Sequence, residues 1–127
     1  MYEITVTKEF AAGHAIRLPD DTLEPVHGHN WRVTVTAASE ELDGIETVMD
    51  FHILEAALQK LLDTVHNKHL NECAPFAGKD GALAVNPTAE RVAWWIGQSL
   101  ISAIKLPVKL VSVEVTEAPG CAAKWIV

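Results

Sequence analysis

The sequence predicts one α+β domain, residues 1–127, in which two helices cover one face of a four-stranded antiparallel sheet. Alternation of apolar and polar residues marks strands near both ends of the chain, and apolar residues at helical spacing mark two helices between them. The order β-β-α-α-β-β groups like elements instead of alternating them. That grouping favours an antiparallel sheet with its helices on one side.

Four segments show the alternation that predicts half-buried strands. Residues 2–16 and 27–38 form the first two, and residues 17–26 between them contain two prolines and an Asp pair, which are typical of a loop. Residues 108–117 and 121–127 form the last two, on either side of an Ala-Pro-Gly turn.

The two helices are predicted from their caps and their apolar spacing. Asp50 is expected to cap the first helix, because apolar residues follow it at helical spacing. Residues 66–86 are expected to be irregular. Asn86 and Pro87 then open the second helix, with Asn as the cap and Pro at the first helical position, and Pro107 lies just past its end.

The composition, 49% hydrophobic and 21% charged, excludes a disordered or low-complexity chain. No apolar run approaches the roughly 18 residues of a membrane span, and the N-terminus does not resemble a signal peptide. A net charge of −7 disfavours nucleic acid as a partner. Cys73 and Cys121 do not make a disulfide framework, so a reducing cytoplasm is the expected location.

Three of the six histidines are arranged as metal ligands. His27 and His29 stand at i and i+2 of a predicted strand, so both rings point to the same side. If the first two strands pair as a hairpin, His14 comes to lie beside them. Three imidazoles with an open fourth position are typical of a catalytic zinc site. The alternative is three hydrogen-bonded histidines at a strand edge, and the His-Gly-His pattern favours the metal.

Motifs along nearly the whole chain resemble the 6-pyruvoyl-tetrahydropterin synthase and 6-carboxytetrahydropterin synthase family. They occur in the family's order: Phe10-Ala11-Ala12-Gly13-His14, Val26-His27-Gly28-His29-Asn30, Val48-Met49-Asp50-Phe51, Lys68-His69-Leu70-Asn71, Asn86-Pro87-Thr88-Ala89-Glu90 and Val115-Thr116-Glu117. The resemblance implies the tunnelling fold, in which subunits join edge to edge into barrels, commonly as homohexamers. It also implies a pterin substrate, usually 7,8-dihydroneopterin triphosphate.

The resemblance assigns residues to roles. It implies zinc held by His14, His27 and His29, with Glu117 holding the pterin ring. One carboxylate can accept parallel hydrogen bonds from the pterin's amino group and ring N–H. Without the resemblance, Glu117 would be a solvated strand end. Thr88 matches a family threonine near the pterin, and a helix cap is the alternative for it.

The family's catalytic cysteine is missing from the loop before His27. Leu23 stands where the carboxy-forming members have it, and neither Cys73 nor Cys121 matches that position. With Glu24 three residues before His27, the loop instead resembles a third class of the family. In that class glutamate replaces the cysteine, and the side chain of the pterin substrate is cut to give 6-hydroxymethyl-dihydropterin. A carboxylate beside zinc can serve as a general base. The alternative is a solvated loop residue.

A second departure concerns the Asp-His pair that the family places after the first helix. The aligned residues here are His66 and Asn67, and Asn67 cannot carry a proton at neutral pH. His66 or His69 could supply the missing imidazole, or either could be a surface histidine. A proton-relay role for His66 therefore stands beside the surface alternative.

The leading functional prediction is a zinc-dependent pterin lyase of the third class, with Glu24 as base and His66 as a candidate proton carrier. The alternatives are a carboxy- or pyruvoyl-tetrahydropterin synthase, which the missing cysteine disfavours, and a non-catalytic pterin- or metal-binding module. An unrelated zinc hydrolase lacks support, because the sequence has no His-Glu-x-x-His pattern. The pathway, folate or queuosine synthesis, is left open.

Overall fold

The computed structural model describes all 127 residues and contains five strands and two α-helices. In chain order these are β1 (Tyr2–His14), β2 (His27–Ser39), α1 (Phe51–Asp63), β3 (Lys68–His69), α2 (Ala89–Leu100), β4 (Lys109–Ala118) and β5 (Cys121–Ile126). Short 3-10 turns occupy Leu70–Glu72 and Ile101–Ala103. Neither α-helix is long and apolar enough to cross a membrane.

The four long strands form the predicted antiparallel arrangement. The sheet order is β3-β1-β2-β4-β5. β1 and β2 make a long hairpin whose register runs without a break from Tyr2 opposite Ser39 to His14 opposite His27. β4 pairs with β2 and then with β5, both antiparallel. The predicted α+β class and the order of the long elements are confirmed.

The sheet has one strand more than predicted. β3 pairs in parallel with Ala12 and Gly13 of β1, so the complete sheet is mixed and five-stranded. A strand of two residues is too short to show the alternation from which strands are predicted. Its pairing partly covers the end of β1 where His14 lies.

The core lies between one face of the sheet and the two helices. Alternate residues of the strands supply Val6, Phe10, Trp31, Val33, Val35, Val113 and Val115, and the helices supply Leu54, Leu58, Leu62, Val92, Ile96 and Leu100, all buried in one cluster. Two-residue periodicity on the strands and helical periodicity on the helices therefore point at the same interior, as the sequence predicts.

Two irregularities interrupt the alternation of β4. Thr36 of β2 pairs with Ser112 while the next residue pairs with Leu110, so Val111 is an extra residue and Leu110 turns into the core. Such a bulge changes the parity of the strand. A second register shift, on the β5 side, lies at Glu117.

The predicted cap is confirmed for one helix and wrong for the other. The Asp50 side chain accepts a hydrogen bond from the His52 backbone N–H at 2.8 Å and caps α1, as predicted. The predicted cap of α2 is wrong: Thr88, not Asn86, caps the helix by accepting from Arg91 N. Thr88 satisfies the same cap preference, and the Asn86 amide has a partner elsewhere in the chain.

Candidate metal centre

Three imidazoles converge where the β1–β2 hairpin ends. His14 is the last residue of β1 and pairs directly with His27, the first residue of β2, while His29 follows on the same side of the sheet. The three ring centroids lie 4.6–5.2 Å from one another. The hairpin pairing that brings the three histidines together is therefore present, as predicted.

The base of this cluster is rigid and apolar. His14 is fully buried, and its ring packs nearly perpendicular to the buried Trp31 ring at a centroid distance of 4.9 Å. Trp31 is fixed in turn, because its indole N–H donates to the Ala12 carbonyl oxygen at 3.1 Å. A ring held in this way presents its free nitrogen in one direction only.

Backbone carbonyls determine which nitrogen of two rings carries the proton. His14 Nδ1 lies 2.8 Å from the Pro87 carbonyl oxygen, and His27 Nδ1 lies 3.0 Å from that of Pro25. A carbonyl can only accept, so Nδ1 must be the protonated nitrogen in both rings. Their Nε2 atoms then carry lone pairs in the neutral rings, yet these two atoms lie only 3.1 Å apart. Facing lone pairs repel unless a cation lies between them.

Glu117 adds a carboxylate to the same point. Its Oε1 lies 2.8 Å from His14 Nε2 and 3.1 Å from His29 Nε2. The approach to His29 lacks hydrogen-bond alignment, so His29 Nε2 is a buried nitrogen without a hydrogen-bond partner. The Glu117 position follows from the second irregularity of β4, where the chain turns toward β5.

The electrostatics of His29 favour its neutral form. Burial lowers the pKa of His29 below its ordinary value of 6.5. The negative charge of Glu117 opposes this, and the neighbouring His14 and His27 rings lower the pKa further. A neutral imidazole is the form that ligates a metal.

These features fit a divalent transition metal. One ligand atom from each of the three histidines and Glu117 lies within 4.8 Å of all the others. Ligands of a tetrahedral ion at about 2.0–2.1 Å are about 3.3–3.4 Å apart, close to the separation of the two facing Nε2 atoms. The Nδ1 contacts of His14 and His27 are the usual hydrogen bonds that orient metal-ligating histidines. Imidazole and carboxylate donors suit zinc among other metals.

Glu24 lies beside this cluster but is not part of it. Its Oε1 is 3.7 Å from His27 Nδ1 and accepts a hydrogen bond from the Ile16 backbone N–H at 3.0 Å. Its side chain is partly exposed. The carboxylate is thus fixed close to the histidine cluster, on the Nδ1 side of His27.

The loop after α1 lies against the outer edge of β1. His66 Nδ1 accepts from the Ala11 backbone N–H at 3.1 Å, and the Asn67 backbone N–H donates to the Ala11 carbonyl at 2.6 Å. Asn67 has φ of 59°, a conformation that Asn tolerates. Asn67 also lines a groove that reaches His29. His69 is used locally, because its Nδ1 accepts from Asn71 N.

Neither cysteine lies in the cluster of possible ligands. Cys73 is half-buried and donates to the His69 carbonyl at 3.4 Å, and burial raises the pKa of its thiol. Cys121 is exposed at the start of β5. Thr88 lies one residue after the Pro87 carbonyl that orients His14, and its hydroxyl oxygen caps α2.

Sequence reasoning missed the groups that orient the histidines. The carbonyls of Pro25 and Pro87 have no side-chain signature, and Pro87 is 73 residues from His14. The position of Pro25 two residues before His27 was the one available signal, and in a single sequence it indicates only a loop.

Comparison with known proteins gives a consistent result. Residues 3–125 match the family model for 6-pyruvoyl tetrahydropterin synthase. The chain is 36% identical to the 6-carboxy-5,6,7,8-tetrahydropterin synthase of Synechocystis, over 94% of this chain and 91% of that protein. It is 27% identical to the dihydroneopterin monophosphate aldolase of Pyrococcus furiosus, over 91% of each. The 6-pyruvoyl tetrahydropterin synthase structure from Caenorhabditis elegans shares the fold, with a TM-score of 0.78 at 22% identity over 99% of this chain and 95% of that one.

Proposed function

The chain belongs to the 6-pyruvoyl tetrahydropterin synthase family, and we propose that it is a zinc-dependent lyase of 7,8-dihydroneopterin or its phosphate esters. The proposed product is 6-hydroxymethyl-7,8-dihydropterin. The observation that carries this proposal is the group beside the histidines: the Glu24 carboxylate lies 3.7 Å from His27, and no thiol is present in the cluster. The resemblance to a dihydroneopterin monophosphate aldolase supports the same reaction.

Cleavage of the carbon–carbon bond in the pterin side chain needs one base and one group that accepts the electron pair of that bond. Glu24 takes the proton from the hydroxyl on the second side-chain carbon. The bond between the first and second carbons breaks, and its electron pair passes into the pterin ring. The second carbon leaves as the aldehyde of a two-carbon fragment, and a proton returns to the first carbon. When bound, zinc supplies a Lewis acid that polarises the side-chain oxygens.

Glu117 is proposed to hold the pterin ring rather than to complete the metal shell. Three protein ligands leave the open position that a catalytic zinc needs, whereas a fourth would close it. The carboxylate of Glu117 is partly exposed and close to two of the histidines, so a ring bound there would carry its side chain to the metal.

Metal content separates the two roles of Glu117. In Glu117→Gln, zinc content should persist while pterin binding weakens, measured by metal analysis and by titration with dihydroneopterin. Loss of zinc from this variant would make Glu117 a ligand.

Two further residues are proposed to assist. His66 accepts from Ala11 N–H through Nδ1, so Nε2 carries the proton of its neutral ring and is the atom that can return a proton to the product. His66→Gln should slow turnover and leave zinc bound, and unchanged turnover would remove this role. Thr88 uses its oxygen as a cap acceptor, and its O–H remains free to donate to the pterin.

The second candidate function is 6-carboxytetrahydropterin synthesis, favoured by the 36% identity to the Synechocystis enzyme. The members that make that product use a cysteine in the loop before the His-Gly-His motif, and this chain has Leu23 there. A non-catalytic pterin-binding module is the third possibility, and Asn67 in place of the family's catalytic histidine favours it.

The active form is proposed to be a homo-oligomer, a hexamer by resemblance to the family. β5 is an edge strand with no partner on its outer side, and β3 covers only Ala12 and Gly13 on the outer side of β1. Unpaired edges are commonly removed by pairing between subunits. A monomer in light scattering at micromolar concentration would contradict the assembly.

Product analysis tests the proposed reaction. The zinc-loaded protein is incubated with dihydroneopterin, its monophosphate and its triphosphate, and the products are identified by mass spectrometry. The proposal requires 6-hydroxymethyl-7,8-dihydropterin and an equimolar two-carbon aldehyde. Glu24→Gln should lower the rate by about 10²–10⁴-fold, the usual contribution of a positioned base, with unchanged zinc content. A carboxy or pyruvoyl product would overturn the proposal, and pterin binding without turnover would favour the module.

A further inference from the structure

Two asparagines from distant parts of the chain hold the first and third of the three residues that follow His14. Asn71 Oδ1 accepts from the Ala15 backbone N–H at 2.9 Å, and its Nδ2 donates to the Ala15 carbonyl at 2.8 Å. Asn86 repeats the arrangement two residues later: Oδ1 accepts from Arg17 N–H at 2.8 Å and Nδ2 donates to the Arg17 carbonyl at 3.0 Å. Each amide pairs with both polar groups of one residue.

Glu24 holds the residue between them. Its backbone N–H donates to the Ile16 carbonyl at 3.0 Å, and its Oε1 accepts from Ile16 N–H at 3.0 Å. Every backbone N–H and C=O of residues 15–17 is therefore bonded, although β1 ends at His14. A primary amide carries donor and acceptor in one plane, so it can replace the strand partner that the sheet no longer supplies.

This arrangement connects two functional groups. It fixes the backbone directly after His14, and it fixes the carboxylate of Glu24. Asn86 also precedes Pro87, whose carbonyl accepts from His14 Nδ1 at 2.8 Å. A shift of Asn86 would therefore move the group that sets the protonated nitrogen of His14.

We propose that Asn71 and Asn86 are positioning residues of the metal centre. With Glu24 they form a clamp on residues 15–17 that sets the direction of His14 Nε2 and the place of the Glu24 carboxylate. Asn71 and Asn86 act through the backbone of residues 15–17, and neither belongs to the group of possible metal ligands. This proposal rests on the proposed function for its metal, although the clamp is present without one.

Metal affinity distinguishes a positioning role from general support of the fold. Hydrogen-bond partners of metal ligands typically contribute about 10–100-fold to affinity. Asn71 and Asn86 bond to the backbone beside a ligand rather than to the ligand, so Asn86→Ala and Asn71→Ala should each weaken zinc binding at the lower limit of that range, roughly tenfold, measured by competition with a chromophoric chelator. Asn86→Asp keeps the acceptor for Arg17 N–H and should lose less affinity than Asn86→Ala.

A matched control removes loop hydrogen bonds away from the site. Asp43 Oδ1 accepts from Ile45 N–H at 3.0 Å and from Thr47 N–H at 2.9 Å, in the connection between β2 and α1. Asp43→Ala should lower the melting temperature and leave zinc affinity unchanged. Equal zinc affinities in the Asn86, Asn71 and Asp43 variants would overturn the clamp.

A second measurement uses the unmodified, metal-free chain. The amide protons of Ala15, Ile16 and Arg17 should exchange slowly, and the Nδ1–H of His14 should be visible by NMR, because each has a hydrogen-bond acceptor. Rapid exchange of these amides in the folded protein would overturn the clamp even where a variant fails to fold. A chain that protects these amides but binds no zinc would refute the proposed metal function, and the clamp would then be a structural feature without a role at a metal centre.

Discussion

The sheet has an apolar region under its helices and a polar region at the end of the β1–β2 hairpin where the connecting loop joins the two strands, and the side chains of the two regions find their contacts in different ways. Under the helices, residues such as Val33, Val35 and Leu58 are completely buried against one another and need no partner outside the chain. At the hairpin end, His14 is equally buried, but its Nε2 faces a second imidazole nitrogen at 3.1 Å. The apolar region is complete in itself, whereas the hairpin end brings together imidazole nitrogens and a carboxylate that could hold a cation.

Acidification should separate the two regions with the largest effect. Protons compete with the metal for Nε2, so zinc affinity should fall with falling pH by up to about tenfold per pH unit for each imidazole that becomes protonated. Since burial lowers the pKa of His29, its share of this loss begins below its ordinary value of 6.5. Zinc competition titrations from pH 8 to pH 5 measure the effect.

The apolar region supplies the control for the pH experiment. No titratable group belongs to the buried cluster, so the fold should persist where zinc is released. Circular dichroism at each pH monitors it. A zinc affinity that does not change with pH, or release only on global unfolding, would contradict the separation.

A substitution in the apolar region should destabilise the fold and leave zinc bound, the opposite of the effect of acid. Gly97 of α2 lies under the Trp125 ring, and a Cβ at this position would come within 2.3 Å of ring carbons. Gly97→Ala should therefore destabilise the fold by about 1–3 kcal/mol, as overpacking usually does. Urea titration measures it. Gly44→Ala is the matched control, because its Cβ would meet nothing within 4 Å. Loss of zinc from Gly97→Ala at low urea would show that the regions are coupled.

The boundary between the regions should give the smallest effect. Thr88 caps α2 and follows the carbonyl that orients His14. Thr88→Ala should cost about 1 kcal/mol through the lost cap and weaken pterin binding through the lost hydroxyl, whereas Thr88→Ser should preserve both. Thermal unfolding and pterin titration measure the two losses. Unchanged pterin affinity in Thr88→Ala would leave Thr88 as a cap only.

The two regions also differ in how far the sequence predicts them. Alternation and helical spacing predict the core. Every second residue of a strand, and residues three or four apart on α1 and α2, lie on the face that is buried. The three histidines are predictable too, since His27 and His29 share a face and the hairpin brings in His14. The pattern of apolar residues does not predict the bulges of β4, because they depend on pairing between strands. The first of these bulges places Leu110 in the core.

The orienting contacts were beyond prediction for a different reason. Asn86 is a residue type that commonly caps helices. Only the folded chain shows that its amide binds the backbone of Arg17, 69 residues away, and that Thr88 caps the helix instead. The same holds for Asn71 and Ala15, 56 residues apart. Side-chain to backbone bonds over such separations leave no periodic signal in one sequence.

In the proposed active form, a metal held by three histidines completes the loop end of the β1–β2 hairpin. The most direct measurement is the metal content of purified protein, wild type beside the triple variant His14→Ala, His27→Ala, His29→Ala. The wild type should carry about one zinc per chain, and the variant should carry none, with far-UV circular dichroism verifying that the helices remain. Full metal content in the folded triple variant, or a metal-free wild type after growth and purification with zinc, would show that these histidines do not form a metal site.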